Sequence, residues 1–341
     1  MDYNLSNKLK HPIFKIVSEV SSEMNIPCYV IGGYVRDLFL NRNSKDIDIV
    51  VVGNGMDLAK IVAGKLRIKK VSCFKNYGTA HFKYKDIDVE FVGARKESYN
   101  KDSRNPKICT ATLKEDQERR DFTINSLAID LNEKNFGDLI DPFNGINDLN
   151  HKIIKTPYDP DETYSDDPLR MLRAIRFASQ LNFNIDYKSL ESIHKNSERI
   201  KIISQERITD ELNKILLSEK PSVGFRLLKS TNLLPYFFPE LIKLYGVETI
   251  NGKSHKDNFF HTLEVVDNIS LETNKLWLRW AALLHDIAKP NTKRFDQKIG
   301  WTFHGHEEMG AKMVFKIFKR LKLPLDHKMK YVKKLVRLHL R

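Results

Sequence analysis

The stretch of residues 29–52 restricts the possible fold more than any other part of the chain. A short apolar run ends in the glycine pair Gly32 and Gly33, a helical segment follows, and an aliphatic strand then begins with Asp46 and Asp48. Side chains of a strand alternate between its two faces, so both carboxylates lie on one face and the isoleucines on the other. This order of elements predicts an α/β domain with a functional site on the acidic face of its sheet.

Two carboxylates on one strand face predict a site for a divalent metal. Mg²⁺ takes oxygen ligands, keeps several waters and is completed by substrate phosphates. Two such ions, about 4 Å apart, can activate a hydroxyl group and stabilise a leaving pyrophosphate. Asp46 and Asp48 are therefore the candidate catalytic Mg²⁺ ligands, while Gly32, Gly33 and Arg36 are candidates for contacting phosphate oxygens. An ordinary acidic pair on a surface strand remains the alternative.

The same string resembles the nucleotidyltransferase head of the DNA polymerase β superfamily, and in particular class II tRNA nucleotidyltransferases and bacterial poly(A) polymerases. A second acidic strand, residues 86–92, again places its acids on one face. The resemblance implies that Glu90 is the third catalytic carboxylate, with Asp88 as its competitor. A solvated acidic strand face is the alternative for these acids.

Residues 118–128 look like the Arg-Arg-Asp-Phe-x-x-Asn motif of that family. The resemblance implies that Arg120 neutralises a triphosphate. It also implies that Asp121 and Asn125, four residues apart on one predicted helical face, bind ribose hydroxyls or orient Arg120. The polar, basic segment 94–114 lacks apolar periodicity, so we expect a long mobile loop there.

Residues 165–177 predict a helix with Asp167 at its N-cap and with arginines spread over one broad basic face. The string matches the Glu-Asp-x-x-Arg templating motif of the family, except that Asp166 stands where Glu is usual. The resemblance implies that this helix selects the incoming base. Its candidate nucleotide-binding residues are Asp167, Arg170, Arg173 and Arg176. A capped, solvated basic helix is the alternative.

Histidines are concentrated after residue 255, and the apolar run before His285 and Asp286 looks like an HD domain. With His261 and His306, and with His304 nearby, these residues predict a second divalent metal site. HD domains of this type usually add a carboxylate on a late helix, whereas the given chain stops within the predicted helix 329–340. We therefore expect a fragment or a degenerate domain.

Composition agrees with an RNA-binding protein: 57 Lys and Arg against 44 Asp and Glu give a net charge of +13. A lysine-rich proteome would give the same balance. Three widely spaced cysteines, no signal-like N-terminus and no long apolar run predict a soluble cytoplasmic protein without membrane contact.

The sequence thus predicts an α/β polymerase β-like head with a mixed sheet (residues 1–155), an all-α neck and body (156–250) and an all-α HD domain (251–341). The resemblance implies Mg²⁺-dependent addition of CCA to the 3′ end of tRNA from CTP and ATP. A poly(A) polymerase or a CC-only or A-only enzyme is the nearest alternative. A metal-dependent HD phosphohydrolase with an RNA-gripping head is the more distant one. Oligomeric state stays open.

Overall fold

The structure is a computed structural model that describes residues 4–75, 78–100 and 103–340. Two compact units divide the chain, Met1–Asp166 and Asp167–Arg341. None of the helices in the described ranges is long and apolar enough to cross a membrane.

The first unit combines helices with a seven-stranded sheet. Its α-helices in the described ranges are α1 (Pro12–Met24), α2 (Gly33–Phe39), α3 (Gly55–Lys65), α4 (Leu113–Glu118), α5 (Gly145–Asn150) and α6 (Pro160–Asp166). Its strands there are β1 (Cys28–Ile31), β2 (Asp46–Val51), β3 (Ser72–Phe74), β4 (Thr79–Tyr84), β5 (Ile87–Gly93), β6 (Arg95–Asn100), β7 (Ser103–Thr110), β8 (Ala128–Asp130), β9 (Leu139–Ile140) and β10 (Ile153–Ile154).

The sheet order is β3-β4-β5-β2-β1-β8-β9. Strands β2 and β5 run parallel, and the other neighbours for which a register is given run antiparallel, so the predicted mixed sheet is confirmed. Alternation along β2 buries Ile47 and Ile49 completely and leaves the two aspartates on the opposite face. Towards the far end of that acidic face, Val50 packs with Ile31 and Ala128. The apolar half of each strand therefore fixes the register that holds the carboxylates.

The prediction that residues 94–114 form a long loop without secondary structure is wrong. The segment forms an antiparallel hairpin of β6 and β7, in which Arg95 pairs with Thr110; residues 101 and 102 lie outside the described ranges. Helix α4 follows, and Thr112 and Glu115 form a reciprocal capping box at its start. The hydrogen bonds that pair the two strands of an antiparallel ribbon come from backbone groups, so an apolar alternation of side chains is not needed to form them.

The second unit is helical, with short strands between some helices. Its helices in the described ranges are α7 (Leu169–Leu181), α8 (Tyr187–Asn196), α9 (Gln205–Leu216), α10 (Pro221–Ser230), α11 (Leu234–Phe237), α12 (Pro239–Ile242), α13 (Asn258–Glu272), α14 (Leu276–Leu284), α15 (Lys289–Thr292), α16 (His306–Arg320) and α17 (His327–Leu338). Its strands are β11 (Asn184–Ile185), β12 (Thr249–Ile250), β13 (Lys253–Ser254), β14 (Arg294–Asp296) and β15 (Gly300–Thr302).

A buried arginine joins α14 to the end of α9. Arg279 is 1% exposed and donates to the carbonyl oxygens of Leu216 and Ser218 at 2.8 and 2.7 Å. The last carbonyls of a helix lack partners within the helix, so a guanidinium group at that end satisfies them. The indole Nε1 of Trp280 donates to Asn213 Oδ1 at 2.8 Å. These bonds fix α14, which leads directly into His285 and Asp286.

Candidate active site

The parallel pairing of β2 and β5 builds an acidic face across two strands. Asp46 lies opposite Asp88, and Asp48 lies opposite Glu90. On β4, His81 is the register partner of Glu90, and its Nε2 lies 3.0 Å from Asp88 Oδ1. Register therefore places Glu90, rather than Asp88, beside Asp48.

The pKa values of Asp48 and Glu90 are both raised in this environment. Burial raises the pKa of Asp48, which Arg120 opposes and Asp46 reinforces. Burial also raises the pKa of Glu90, and the charge of Asp48 adds to that rise. A divalent cation at this face would relieve both effects, because an opposite charge favours the ionised carboxylate. The donor chemistry of the face therefore fits Mg²⁺.

The carboxylate oxygens of Asp46, Asp48 and Glu90 lie farther apart than the ligands of a metal site in which protein atoms alone surround the ion. Among the residues the structure describes, the second unit contains groups of three potential ligand atoms that lie within 4.8 Å of one another. Asp46, Asp48 and Glu90 do not form such a group. Mg²⁺ keeps several waters and binds through one or two carboxylates plus substrate phosphates, so an open arrangement suits it.

The glycine pair brings the backbone close to the acidic face. Gly32 has a φ of +82°, and a Cβ there would lie 3.2 Å from Arg120 Nη1 and 3.4 Å from Asp48 Oδ2. A larger residue would be strained and would crowd both groups. Gly33 begins α2, where a Cβ would meet Arg36 Nη2 at 3.6 Å. The predicted convergence of the glycines, an arginine and the carboxylates is therefore present.

Arg36 is buried, with 8% of the residue exposed, and its side chain is held by hydrogen bonds within the protein. Its Nη1 donates to Asn125 Oδ1 at 2.7 Å and its Nε to Asp37 Oδ1 at 2.9 Å. Asn125 Nδ2 in turn donates to Asp121 Oδ1 at 3.0 Å. The predicted helical face for Asp121 and Asn125 is wrong, because Thr123–Asn125 is a single 3₁₀ turn. The two side chains meet nevertheless, and Asn125 holds Arg36.

Sequence reasoning missed the residue that orients Arg120. Asp116 on α4 is fully buried, and its Oδ2 accepts from Arg120 Nε and Nη2 at 3.2 and 3.1 Å. Its Oδ1 accepts from Arg119 Nη2 at 2.6 Å. Burial alone would raise the pKa of Asp116, but the two guanidinium groups hold it below its usual value. The spacing Asp116-x-x-Arg119-Arg120 after the capping box was the available signal.

The predicted templating residues lie on or next to α7 in the second unit. The helix begins at Leu169, with Pro168 as N-cap, one residue later than predicted. Asp167 Oδ1 still accepts from the Leu169 amide at 3.2 Å. Arg170 and Arg173 are partly exposed on this helix, which is compatible with base selection.

Arg176 was predicted to lie on one broad basic face with Arg170 and Arg173 and to bind the nucleotide, but the structure buries it. Arg176 is 9% exposed, and its Nε lies 2.8 Å from Glu211 Oε2 on α9. Its guanidinium also lies 4.1 Å from the ring centroid of Phe177. At three-residue spacing the helix face rotates by about 60° in each step, so the third arginine turns towards the neighbouring helix. Arg176 therefore braces α7 against α9.

Histidines from several segments of the second unit surround Asp286, which is 2% exposed. His261 and His285 form one potential ligand group with Asp286, and His306 and His339 form another with it. Burial alone would raise the pKa of Asp286, but His285 and Lys289 hold it far below its usual value. Burial lowers the pKa of His261 and of His339, which favours the neutral, metal-binding imidazole.

His339 was not predicted, because a carboxylate was expected on the late helix. This histidine closes α17 as its C-cap. His304, which was considered with His306, is exposed and belongs to neither potential ligand group in the described part of the chain. The predicted set of His261, His285, Asp286 and His306 is therefore brought together, with one ligand added.

Three family models match the chain: the poly A polymerase head domain over residues 28–155, the probable RNA- and SrmB-binding site of polymerase A over residues 182–244, and the HD domain over residues 258–341. The chain is also 34% identical over 311 residues to the multifunctional CCA protein of Shewanella frigidimarina (strain NCIMB 400), which covers 88% of this chain and 70% of that protein. The chain belongs to the tRNA nucleotidyltransferase and poly(A) polymerase family.

Other members of the family differ in length. The chain is 36% identical over 236 residues to the CCA-adding enzyme of Lactobacillus helveticus (strain DPC 4571), covering 67% of this chain and 57% of that enzyme. It is 33% identical over 282 residues to the A-adding tRNA nucleotidyltransferase of Aquifex aeolicus (strain VF5), covering 80% of this chain and 32% of that protein. The chain thus spans about a third of the Aquifex protein and somewhat over half of the Lactobacillus one.

Solved structures of the family share the fold. A tRNA nucleotidyltransferase complexed with a primer tRNA and an incoming ATP analog superposes with a TM-score of 0.64 at 26% identity, covering 95% of this chain and 97% of that one. A CCA-adding enzyme with CTP gives 0.68 at 25% identity, covering 98% and 73%. The predicted family and its three-part organisation of head, RNA-binding body and HD domain are therefore confirmed.

Proposed function

We propose that the chain completes the 3′-terminal CCA of tRNA by transferring CMP and AMP from CTP and ATP. The register that sets Asp48 beside Glu90, with Arg120 and the Gly32 backbone at the same place, is the observation that carries this proposal. The names of the relatives support it, because multifunctional CCA and CCA-adding proteins are among them.

Bound Mg²⁺ would supply charge neutralisation and activation of the attacking hydroxyl at this face. Asp46 and Asp48 would hold the metal, and Glu90 would complete the acidic row. Arg120, held by Asp116, would meet the triphosphate where the glycine backbone leaves room. Arg36 is ordered by Asn125 and would contact phosphate from a fixed position.

Asp167, Arg170 and Arg173 would select the base, since a guanidinium group offers donors and a carboxylate offers acceptors to the base edge. The excess of positive charge would hold the tRNA through phosphate contacts. We also propose the division at residues 155 and 250, and a cytoplasmic location, where the three cysteines would stay as thiols.

Substitution of single acids tests this assignment. Asp48→Asn is expected to lower nucleotide incorporation about a thousandfold, since it removes a metal ligand from the reacting centre. Glu90→Gln should also lower nucleotide incorporation strongly. Asp88→Asn, which removes the same charge from the same face, should lower incorporation less. The rates would be measured with end-labelled tRNA and radiolabelled nucleotide. Full incorporation by Asp48→Asn would contradict the proposal, and a larger loss in Asp88→Asn than in Glu90→Gln would exclude Glu90 as the third acid.

A second candidate function rests on the histidine cluster. An open cleft of about 790 Å³ borders His261, and its charged lining residues are Lys220, Arg226, Lys256, Asp257, Glu264 and Asp267. A phosphate ester could reach the HD centre there, so a metal-dependent phosphohydrolase activity is compatible with this unit. Release of phosphate from cyclic or terminal phosphate esters, retained in Asp48→Asn, would support this activity beside or instead of nucleotide transfer.

A further inference from the structure

The helices α16 and α17 form an antiparallel pair whose outer face carries a cluster of lysines. Glu308 Oε1 accepts from Arg337 Nε at 2.6 Å, and a Cβ on Gly310 would lie 3.1 Å from Val336 Cγ1. These contacts set the register of the two helices and place the Glu308–Arg337 pair at one end of the face. Residues three or four apart are neighbours on a helix surface, so the face continues along both helices from that pair. We call this surface the lysine face, and its exposed residues beyond the pair are Lys312, Phe315, Lys316 and Lys319 on α16 and Lys330, Lys333 and Lys334 on α17.

The charges of the lysine face are not neutralised within its surroundings. In the part of the chain that the structure describes, none of the six lysines has an acidic partner within ion-pair distance. The acids at the two ends of the face are already engaged, since Glu308 binds Arg337 and Asp326 accepts from the Lys328 amide at 2.9 Å. Residues 311–341 of the sequence contain eleven Lys or Arg and a single acid. Like charges on one surface repel one another, so the lysine face favours a polyanionic partner.

An RNA backbone suits the lysine face better than a protein surface does. Lysine is depleted at protein–protein interfaces. At a nucleic acid, by contrast, each lysine that neutralises a phosphate releases a condensed counterion, and this release favours binding. Phe315 lies among the lysines with 46% of the residue exposed. Surfaces that bind nucleic acids combine such a ring, on which a base can stack, with surrounding cations.

The lysine face begins beside the part of the chain that matches the family's RNA-binding model, residues 182–244. At the end of α16, Arg320 Nη1 donates to Glu240 Oε1 at 2.6 Å. The Thr209 hydroxyl donates to the carbonyl oxygen of the next residue, Leu321, at 2.5 Å. The end of α16 is therefore docked on residues 182–244, and the lysine face extends that surface onto the HD unit.

We propose that the lysine face is a second RNA-binding surface, which holds the phosphate backbone of the tRNA beyond residues 182–244. Phosphate contacts position an RNA without reading its bases, so this surface acts alike on tRNAs of different sequence. The choice of tRNA rests on the proposed function. Binding by the lysine face is separate from nucleotide transfer in the head, so the two can be tested apart.

The test measures binding of a labelled tRNA transcript, ending at the discriminator base, to the full chain at several KCl concentrations. Fluorescence anisotropy gives Kd at each concentration. The test variant carries Lys312→Gln, Lys316→Gln, Lys330→Gln and Lys333→Gln. It should bind about tenfold or more weakly at about 50 mM KCl, and the slope of log Kd against log salt should fall by about three. The four corresponding Lys→Arg substitutions keep the charges and should preserve both the affinity and the slope.

A matched control removes four charges from exposed positions of the first unit by Lys8→Gln, Lys10→Gln, Lys69→Gln and Lys70→Gln. This control should change the affinity and the slope much less than the test variant does. An unchanged slope in the test variant, or an equal loss in the control, would overturn the proposal, because net charge alone would then explain binding. A wild-type chain that binds tRNA through the lysine face and yet adds no nucleotide would contradict CCA addition and leave this inference standing. Circular dichroism of each variant confirms that the fold is retained.

Discussion

Asp116→Asn is expected to destabilise the head and to loosen Arg120 at the same time. The Asp116 carboxylate is fully buried and carries two arginines, one on each oxygen. The substitution keeps the shape but removes the charge, so both guanidinium groups lose their ionic partner. Breaking a buried ion pair by removing one partner costs about 3 to 5 kcal/mol. The side chains of Arg119 and Arg120 are 17% and 19% exposed, so water still solvates part of each guanidinium group and offsets part of the lost stability. We therefore expect a free energy of unfolding that is lower by roughly 2 to 4 kcal/mol.

The effect should depend on pH with a definite sign. Because the folded pKa of Asp116 is depressed, its contribution is complete above the unfolded value of about 3.9. It is lost as the pH falls through the lower folded pKa. The difference between wild type and Asp116→Asn should therefore be constant from pH 7 to pH 5 and should shrink below about pH 4.

Urea unfolding followed by hydrogen–deuterium exchange of peptides from residues 112–131 measures this change in the head. Tryptophan fluorescence serves as an internal reference, since all three tryptophans belong to the second unit. Glu118→Gln is the matched control, because it removes one negative charge from an exposed position of the same helix. If Asp116→Asn and Glu118→Gln give the same head stability, the assignment of Asp116 as an arginine clamp is wrong.

Three further outcomes are expected. Burial raises the pKa of Cys28 to about 12. At pH 8 a thiol reagent should therefore modify the exposed Cys73 and Cys109 quickly, and Cys28 only after unfolding. Rapid modification of all three cysteines in the folded protein would contradict this. Gly32→Ala should cost about 1 to 3 kcal/mol in backbone strain and raise the KM for nucleotide, since its Cβ would crowd the head site, and unchanged kinetics would contradict it. Glu211→Gln should lower the stability of the second unit by about 1 to 3 kcal/mol in a fluorescence-monitored denaturation, and an unchanged midpoint would show that the buried pair does not brace the helices.

Periodicity and local spacing predicted the part of the head that depends on alternation. Asp46 and Asp48 share a face because Ile47 and Ile49 must be buried, and this follows from a period of two. The pairing of Asp48 with Glu90 is a register between distant strands. Residue patterns left Glu90 and Asp88 as competitors because register depends on tertiary packing.

Residues whose roles depend on tertiary contacts escaped prediction. Asp116 lies between the segment 94–114, which was expected to be a loop, and the motif of residues 118–128, so it was not considered, although the capping box at the start of its helix was legible in the sequence. Arg176 looked like its neighbours on a helix, but only the packing of a second helix shows which arginine is buried. His339 was overlooked because its ligand role comes from the convergence of segments far apart in sequence.

The most direct test of CCA addition uses end-labelled tRNA that ends at the discriminator base. The tRNA is incubated with Mg²⁺ and with CTP, ATP or both, and products are resolved at single-nucleotide length. Three additions that require both nucleotides, and no more, are predicted. A long ladder with ATP alone would instead indicate a poly(A) polymerase, and two additions with CTP or one addition only on a CC-ended tRNA would indicate a split-function enzyme. No extension of any substrate would contradict nucleotide transfer itself.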